Sequence, residues 1–180
     1  MGSFGNRVFR AAKLDAGLYK EVEADKGAIR QALLVVFLYG ISAGFGSISK
    51  AGLGGIFMTI VMALVGWVIW AFITYMVGTN LLPEPQTKSD YGELLRTIGF
   101  ANSPGLIGVF GIIPGLMGPV FLVTTVWMLV ATVVAVKQAL DYQSTFRAVG
   151  VCVIALIVQL LFSAFLAFIF GGVGGTGYAA

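Results

Sequence analysis

The longest apolar stretch of this chain, from about Leu94 to Val136, constrains its fold more than any other feature. A helix that crosses a bilayer needs about 20 mostly apolar residues, so this stretch is too long for one crossing and suits two. Residues 115–119, with the sequence GLMGP, supply a break, because glycine and proline interrupt helices. We therefore predict one span over 93–114 and another over 118–137.

Three further apolar segments are long enough to cross a membrane: 29–49, 54–78 and 146–170. The composition agrees, since 58% of the residues are hydrophobic and 11% are charged, whereas soluble domains carry roughly 25% charged residues. Mean hydropathy is +0.96. The sequence thus predicts an all-α integral membrane protein, a five-transmembrane-helix bundle in one membrane domain over 28–170, with a flexible glycine-rich tail over 171–180.

Basic residues are distributed unevenly among the predicted loops. All but one of the 11 Lys and Arg residues precede the first span or lie between spans two and three or spans four and five. Lys50 alone falls in a loop on the opposite side. Because loops rich in Lys and Arg stay in the cytoplasm, this pattern predicts a cytoplasmic N-terminus and a C-terminus outside.

The segment before the first span, 1–27, has the pattern of amphipathic helix. Its apolar residues Phe4, Val8, Leu18 and Val22 recur at helical spacing, with basic residues on the opposite side. Asp15 and Asp25 precede helical patterns and suit N-caps. We predict two short helices lying on the membrane surface. Such a segment can sense curvature or dock a partner, or it can serve as a collar that anchors the bundle.

Little in the sequence supports catalysis. The chain has no histidine and a single cysteine, Cys152, and histidine is the commonest general base and a common metal ligand. The motif GGVGGTG at 171–177 lacks the lysine and the following helix of a phosphate-binding loop. We therefore predict a protein that is not an enzyme, has no catalytic, metal or cofactor site, and binds no nucleic acid.

The third span contains residues that resist a plain membrane helix. Asp90 and Glu93 form the pattern of a capping box at its start. Arg96 is expected to snorkel to the inner surface, and Pro104 to kink the helix. A broken helix of this kind either packs within the bundle or marks a binding site. The candidate kink and packing positions here are Arg96, Gly99, Asn102, Ser103, Pro104 and Pro114.

Gly40 and Gly44 form a GxxxG pattern in the first span. Small residues at this spacing let two helices approach closely. The partner helix can belong to a second copy of the chain or to the same chain, and the sequence leaves both open.

Several segments resemble the bacterial branch of the Yip (Ypt-interacting protein) domain family. The most specific are LLRTIGFANSP, IPGLMGP and VWMLVATVVAVKQAL, in that order, and the resemblance covers nearly the whole chain. It implies a five-span bundle with a cytoplasmic N-terminus. Eukaryotic members of the family act in vesicle trafficking, associating with Rab-type GTPases, with one another and with curved membranes.

These observations together predict a multi-pass protein of the bacterial cytoplasmic (inner) membrane. Its expected role is a non-enzymatic membrane organiser or interaction protein that docks partner proteins, shapes the bilayer, or does both. It is expected to contact the lipid bilayer, and to contact protein partners or a second copy of itself through membrane helices. Two alternatives stay open at this point. The chain could be a small accessory subunit of a larger membrane complex, or a channel or carrier for a small solute.

Overall fold

A computed structural model gives the architecture of residues 3–45, 48–113 and 115–174. Every regular element among them is helical. The α-helices are α1 Phe4–Ala12, α2 Ala16–Ala24, α3 Ala28–Phe45, α4 Ile48–Met76, α5 Tyr91–Ala101, α6 Met117–Ala139 and α7 Thr145–Gly174. A π-helix, Val77–Leu81, follows α4, and a 3₁₀ helix, Ser103–Ile112, follows α5.

Four helical segments are long and apolar enough to cross a membrane: Ala28–Phe45, Gly54–Leu81, Met117–Ala139 and Thr145–Phe162. The all-α membrane fold is confirmed, whereas the fifth span stays a prediction. Its region divides into α5, with 11 residues, and the 3₁₀ helix, with 10, and neither is long enough alone. At about 1.5 and 2.0 Å per residue they measure roughly 16 and 20 Å, against a bilayer core of about 30 Å.

The helices differ from the predicted spans chiefly at their ends. α4 begins at Ile48, although the first span is predicted to run to 49 and the second to begin at 54. Residues 171–174 of the predicted flexible tail are helical, because α7 ends at Gly174. Hydropathy marks the part of a helix that suits the bilayer and not where the helix stops. Residues 175–180 lie outside the described part of the chain.

The third span differs in kind, because it is not one kinked α-helix. α5 ends at Ala101, and the chain continues as a 3₁₀ helix with Pro104 near its start. The capping box at the other end of α5 is confirmed, since Asp90 Oδ1 accepts the Glu93 N–H at 2.9 Å and Glu93 Oε2 accepts the Asp90 N–H at 2.9 Å. Proline lacks the amide hydrogen that would continue the α-helical ladder, so the ladder changes there.

α1 and α2 form a short hairpin before the first span. Leu14 takes a left-handed conformation, with φ 62°, and the Asp15 N–H donates to Arg10 O, which closes the end of α1. Asp15 then caps α2 through its side chain, as the sequence predicts. In the connection between α2 and α3, Asp25 Oδ1 accepts the Gly27 N–H.

α5 lies at the centre of the bundle. It contacts α2, α3, α4 and α6, and its residues from Arg96 to Ala101 are all buried. Trp67 on α4 donates from its indole nitrogen to Leu95 O at 3.0 Å. Gly99 faces α3 so closely that a Cβ there would lie 2.6 Å from the Ala32 Cβ. Glycine at 99 therefore permits the central packing of α5.

Gly40 and Gly44 lie where α3 meets α4 of the same chain. A Cβ at 40 would lie 2.7 Å from Ile60 Cα, and one at 44 would lie 2.9 Å from Ile56 Cα. Thr59 Oγ1 donates to Gly40 O at 3.0 Å across this contact. The GxxxG pattern therefore supports a contact within the chain.

Large apolar side chains are exposed mainly on α4, α6 and α7. Such a surface is a liability in water, but in lipid it needs no partner. These exposed side chains include Phe57, Met62 and Phe72 on α4, Phe121 and Leu122 on α6, and Leu160 and Leu161 on α7.

Replacing Gly40 with alanine should separate α3 from α4, because no side-chain rotation relieves a contact with the Ile60 backbone. We expect a loss of about 1–3 kcal/mol in the free energy of unfolding, the usual cost of overpacking. Denaturant titration in detergent micelles measures it. Gly54→Ala on α4 is the matched control, because no described heavy atom lies within 4 Å of its Cβ. Equal stability of the two variants would contradict the close packing of α3 and α4.

Candidate functional site

Arg96 is buried beneath the N-terminal hairpin, with 6% of its surface exposed. Its Nε donates to Val22 O at 3.0 Å, and a terminal nitrogen donates to Glu23 O. The expectation that Arg96 snorkels to the surface is therefore wrong. The last carbonyls of α2 lack partners within their helix and carry partial negative charge, so they offset the cost of burying the guanidinium.

The junction between α5 and the 3₁₀ helix satisfies its backbone groups locally. Asn102 Nδ2 donates to Ile98 O at 2.9 Å, and Ser103 Oγ donates to Phe100 O at 2.7 Å. Pro104 is buried directly after them. The structure thus brings together Arg96, Gly99, Asn102, Ser103 and Pro104 along one central segment.

The remaining sequence candidates lie elsewhere. Gly40 and Gly44 belong to the α3–α4 contact, and Pro114 lies outside the described residues. Leu18 and Val22 are fully buried, while Phe4 and Val8 are half-buried and pack on the same core.

Sequence reasoning missed a glycine at every third position of the 3₁₀ helix: Gly105, Gly108 and Gly111. A 3₁₀ helix has three residues per turn, so these glycines align on one face. A Cβ at 105 would lie 2.5 Å from Tyr39 Cδ2, and one at 108 would lie 3.2 Å from Ser42 Oγ. The three-residue spacing of these glycines is visible in the sequence SPGLIGVFGI. A search for the 3.6-residue period of an α-helix does not detect it.

The hairpin turns its apolar face towards the bundle. Leu18, Tyr19 and Val22 are fully buried, and α2 contacts both α5 and α6. Trp127 on α6 donates from its indole nitrogen to Ala12 O at 2.8 Å, which ties the end of α1 to the bundle. At the end of α6, Lys20 Nζ donates to Gln138 O at 2.8 Å. These contacts favour the collar interpretation over insertion of this apolar face into lipid.

Arginines of α1 bind the acidic residues of α2 and its flanks. Arg7 is buried and lies 2.9 Å from Glu21 Oε1 and 2.9 Å from Asp25 Oδ2. Arg10 lies 2.7 Å from Asp15 Oδ2 and 2.6 Å from Glu21 Oε2. Hydrogen bonds from Arg10 and Arg7 hold the pKa of Glu21 below its ordinary value, and those from Arg7 do the same for Asp25.

Phe9 is the large apolar side chain that the hairpin leaves outside, with 59% of its surface exposed. Lys13 Nζ lies 4.3 Å from the centre of its ring, a cation–π contact. An exposed aromatic ring beside a lysine suits the boundary between headgroups and hydrocarbon.

No group of three or more His, Cys, Asp or Glu residues in the described part of the chain is arranged to hold a metal ion. The acidic side chains of the hairpin are engaged with arginine or lysine. The hairpin therefore has the features of a structural element, with its acidic side chains paired to arginine or lysine at one end of the bundle.

The four long apolar helices define the class of the protein, a multi-pass helical membrane protein. The Yip1 domain matches residues 18–176, nearly the whole chain, and the chain belongs to this family. The match begins inside α2, so α1 precedes it. No curated protein and no solved structure matches the chain.

Replacing Arg96 with methionine should loosen the hairpin, because the carbonyls of Val22 and Glu23 would lose their donor. We expect a loss of about 1–3 kcal/mol in unfolding free energy, the cost of leaving buried acceptors unpaired. Faster amide hydrogen exchange should appear in the helices of the hairpin. Arg30→Met is the control, because Arg30 is exposed near the start of α3. Unchanged exchange in the Arg96 variant would contradict the anchoring role.

Acidification should also destabilise the hairpin. The pKa of Glu21 lies below its ordinary 4.5 and that of Asp25 below 3.8, so both carboxylates stabilise the fold fully above those values. That stability is lost as pH falls through the lower pKa values of the folded protein. We therefore expect the unfolding temperature to decrease as the pH is lowered below about 4.5, the ordinary pKa of Glu21.

Glu21→Gln provides the comparison for this measurement. The variant should be less stable than the wild type at neutral pH and should lose less stability on acidification, because it lacks the carboxylate that Arg7 and Arg10 bind. Parallel curves for the two proteins would show that Glu21 contributes nothing to the pH dependence.

Proposed function

We propose that the protein is a non-enzymatic membrane organiser that shapes the cytoplasmic leaflet of the bacterial inner membrane. The observation that carries this proposal is the position of the α1–α2 hairpin. Its hydrogen bonds to α6 run from Trp127, near the middle of that helix, to Gln138, near its C-terminal end. The hairpin therefore widens one half of the bundle.

A body that is wider in one leaflet than in the other favours a curved bilayer, in the way that amphipathic helices in one leaflet do. Here the hairpin's own apolar face is covered by the bundle, so the added width is rigid. Phe9 and Lys13 are exposed on the hairpin, and in this proposal they contact lipid at the boundary of that leaflet. The widening then acts where the protein meets the headgroups.

The proposed orientation rests on the charged residues. Ten of the 11 Lys and Arg residues lie in the first 30 residues, in or just after the loop between α4 and α5 (Lys88 and Arg96), or at the helix ends that flank the loop between α6 and α7 (Lys137 and Arg147). Loops of this composition stay in the cytoplasm. With the region 93–114 as a fifth crossing, the C-terminus lies outside, and the hairpin lies in the cytoplasmic leaflet.

Partner docking is the second candidate, and one side chain favours it. Phe146 is the second residue of α7, next to the α6–α7 loop, and 86% of its surface is exposed. A protruding aromatic residue is typical of the anchors that interfaces bury. An accessory role in a larger complex would use the same surface.

Curvature sorting tests the first candidate. The purified protein is inserted into giant vesicles with the hairpin outward, and its density in pulled membrane tubes is compared with its density in the flat membrane. We expect enrichment in the tubes, and Phe9→Ser should reduce it by about half, because the polar side chain no longer enters the interface. Vesicles with the hairpin inward should show depletion.

Phe146→Ser is the matched control, an exposed phenylalanine outside the hairpin. It should leave the sorting unchanged. Equal density of the wild-type protein in tubes and flat membrane would overturn the shaping role. Loss of a co-purifying protein in the Phe146 variant, with Phe9→Ser unaffected, would favour partner docking instead.

A further inference from the structure

Two neighbouring cavities in the membrane bundle, both partly open at its surface, have volumes of about 390 and 410 Å³. They share Tyr39 on α3 and Thr125 and Met128 on α6 as lining residues. Each volume falls within the range of small-molecule sites in proteins. The shared wall therefore lies between two spaces that a ligand can enter.

The shared wall holds hydroxyl groups without hydrogen bonds to the described part of the chain. Tyr19, Tyr91 and Tyr142 each donate to a backbone carbonyl, whereas the Tyr39 hydroxyl has no such partner. Thr124 and Thr132 on α6 donate to the carbonyls four residues earlier, and Thr125 does not. Inside a bilayer no bulk water satisfies such groups, so a ligand that accepts hydrogen bonds would stabilise them.

These groups lie within long apolar helices, away from the helix ends. Tyr39 lies 11 residues after Ala28, the start of α3, which corresponds to about 16 Å of helix. Thr125 lies 8 residues after Met117, the start of α6, or about 12 Å along that helix. Since the hydrocarbon core is about 30 Å thick, a charged headgroup held at this depth would be strongly disfavoured.

We infer that the two cavities bind an uncharged lipid whose hydrogen-bond acceptors meet the hydroxyls of Tyr39 and Thr125. No Asp, Glu, Lys or Arg lines either cavity, so nothing there complements a phosphate. The side chains of Met62, Leu129 and Leu156 supply apolar walls for a hydrocarbon tail. Asn102, whose amide nitrogen is engaged with Ile98 O, lines the second cavity beside them.

Several of the residues that line the two cavities are glycines. Gly105, Gly108 and Gly111 line the first cavity on one face of the 3₁₀ helix, and Gly66 lines the second. Because a glycine carries no side chain, the ligand would lie against backbone along that face. Close packing does not require glycine at position 66, where a Cβ would meet no described atom within 4 Å, so contact with a ligand gives this glycine a role.

Tryptophan fluorescence provides a direct test. Trp67 and Trp70 line the second cavity, and a quinone quenches indole emission at short range. The protein is placed in lipid nanodiscs, and a short-tailed benzoquinone, an uncharged acceptor, is titrated in. We expect saturable quenching above that seen with empty nanodiscs. Dioleoylglycerol should reverse it by competition, and added phosphatidylglycerol should not.

Tyr39→Phe removes one donor and keeps the ring. We expect the quinone affinity to fall about five- to tenfold, the value of one hydrogen bond. Tyr75→Phe is the control, since Tyr75 lines neither cavity. If both variants bind as the wild type does, the Tyr39 hydroxyl does not contact the ligand and the inference fails.

Filling the cavity gives an independent measurement. Gly66→Leu should abolish saturable quenching, while Gly54→Leu should leave it intact. Both glycines lie on α4 with no described atom within 4 Å of a Cβ, but Gly66 lines one of these two cavities and Gly54 lines neither. Equal thermal stability of the two variants shows that the fold is kept. Unsaturable quenching of the wild type, or competition by phosphatidylglycerol equal to that of dioleoylglycerol, would overturn the assignment to an uncharged lipid.

Discussion

The bond between the Arg96 guanidinium and the last carbonyls of α2 is the interaction on which the rest of the structure depends. Arg96 lies on α5, the helix at the centre of the bundle, and is 6% exposed. A buried guanidinium without partners would be strongly destabilising, and a helix end without donors would carry unpaired carbonyls. The guanidinium donates to the carbonyls of Val22 and Glu23, so each group supplies the hydrogen-bond partner that the other lacks. The amphipathic N-terminal segment and the membrane helices are therefore one folded body, which explains why the apolar face of α2 is fully buried.

Hydrogen bonds from side chains to backbone carbonyls are also found near other helix ends. Trp127 donates to the end of α1, Lys20 donates to Gln138 O near the end of α6, and the Tyr142 hydroxyl lies 2.8 Å from Gly78 O in the π-helix. In each case a side chain from another element donates to a carbonyl near a helix end, where carbonyls lack their usual partner within the helix, although Gln138 O also accepts the Asp141 N–H at 3.1 Å. Hydrogen bonds of this kind fix the positions of the helix ends relative to one another. They hold the hairpin along one half of the bundle, which is the asymmetry behind the proposed shaping of the bilayer.

The sequence predicts the parts of this fold that depend on local pattern. Apolar length locates the four long helices, and the short-range bonds of Asp15 and of the Asp90 and Glu93 pair define helix starts that a few neighbouring residues determine. Arg96 could not be placed in this way, because its partners lie more than 70 positions away along the chain. The burial of Leu18 and Val22 was equally inaccessible, since an amphipathic face does not reveal whether protein or lipid covers it.

The 3₁₀ helix resolves a geometric conflict in the third apolar segment. Ten residues in α-helical form would extend about 15 Å, whereas in 3₁₀ form they extend about 20 Å, so the short segment after α5 is longer than an α-helix of the same residues would be. The 3₁₀ form also crowds its side chains, because those at every third position eclipse one another. Glycine at 105, 108 and 111 removes that crowding on one face. Gly105 also lets Tyr39 and Met128 pack against the backbone of the 3₁₀ helix, because a Cβ there would lie 2.5 Å from Tyr39 Cδ2 and 2.7 Å from Met128 Sδ, and the first cavity lies along this row of glycines.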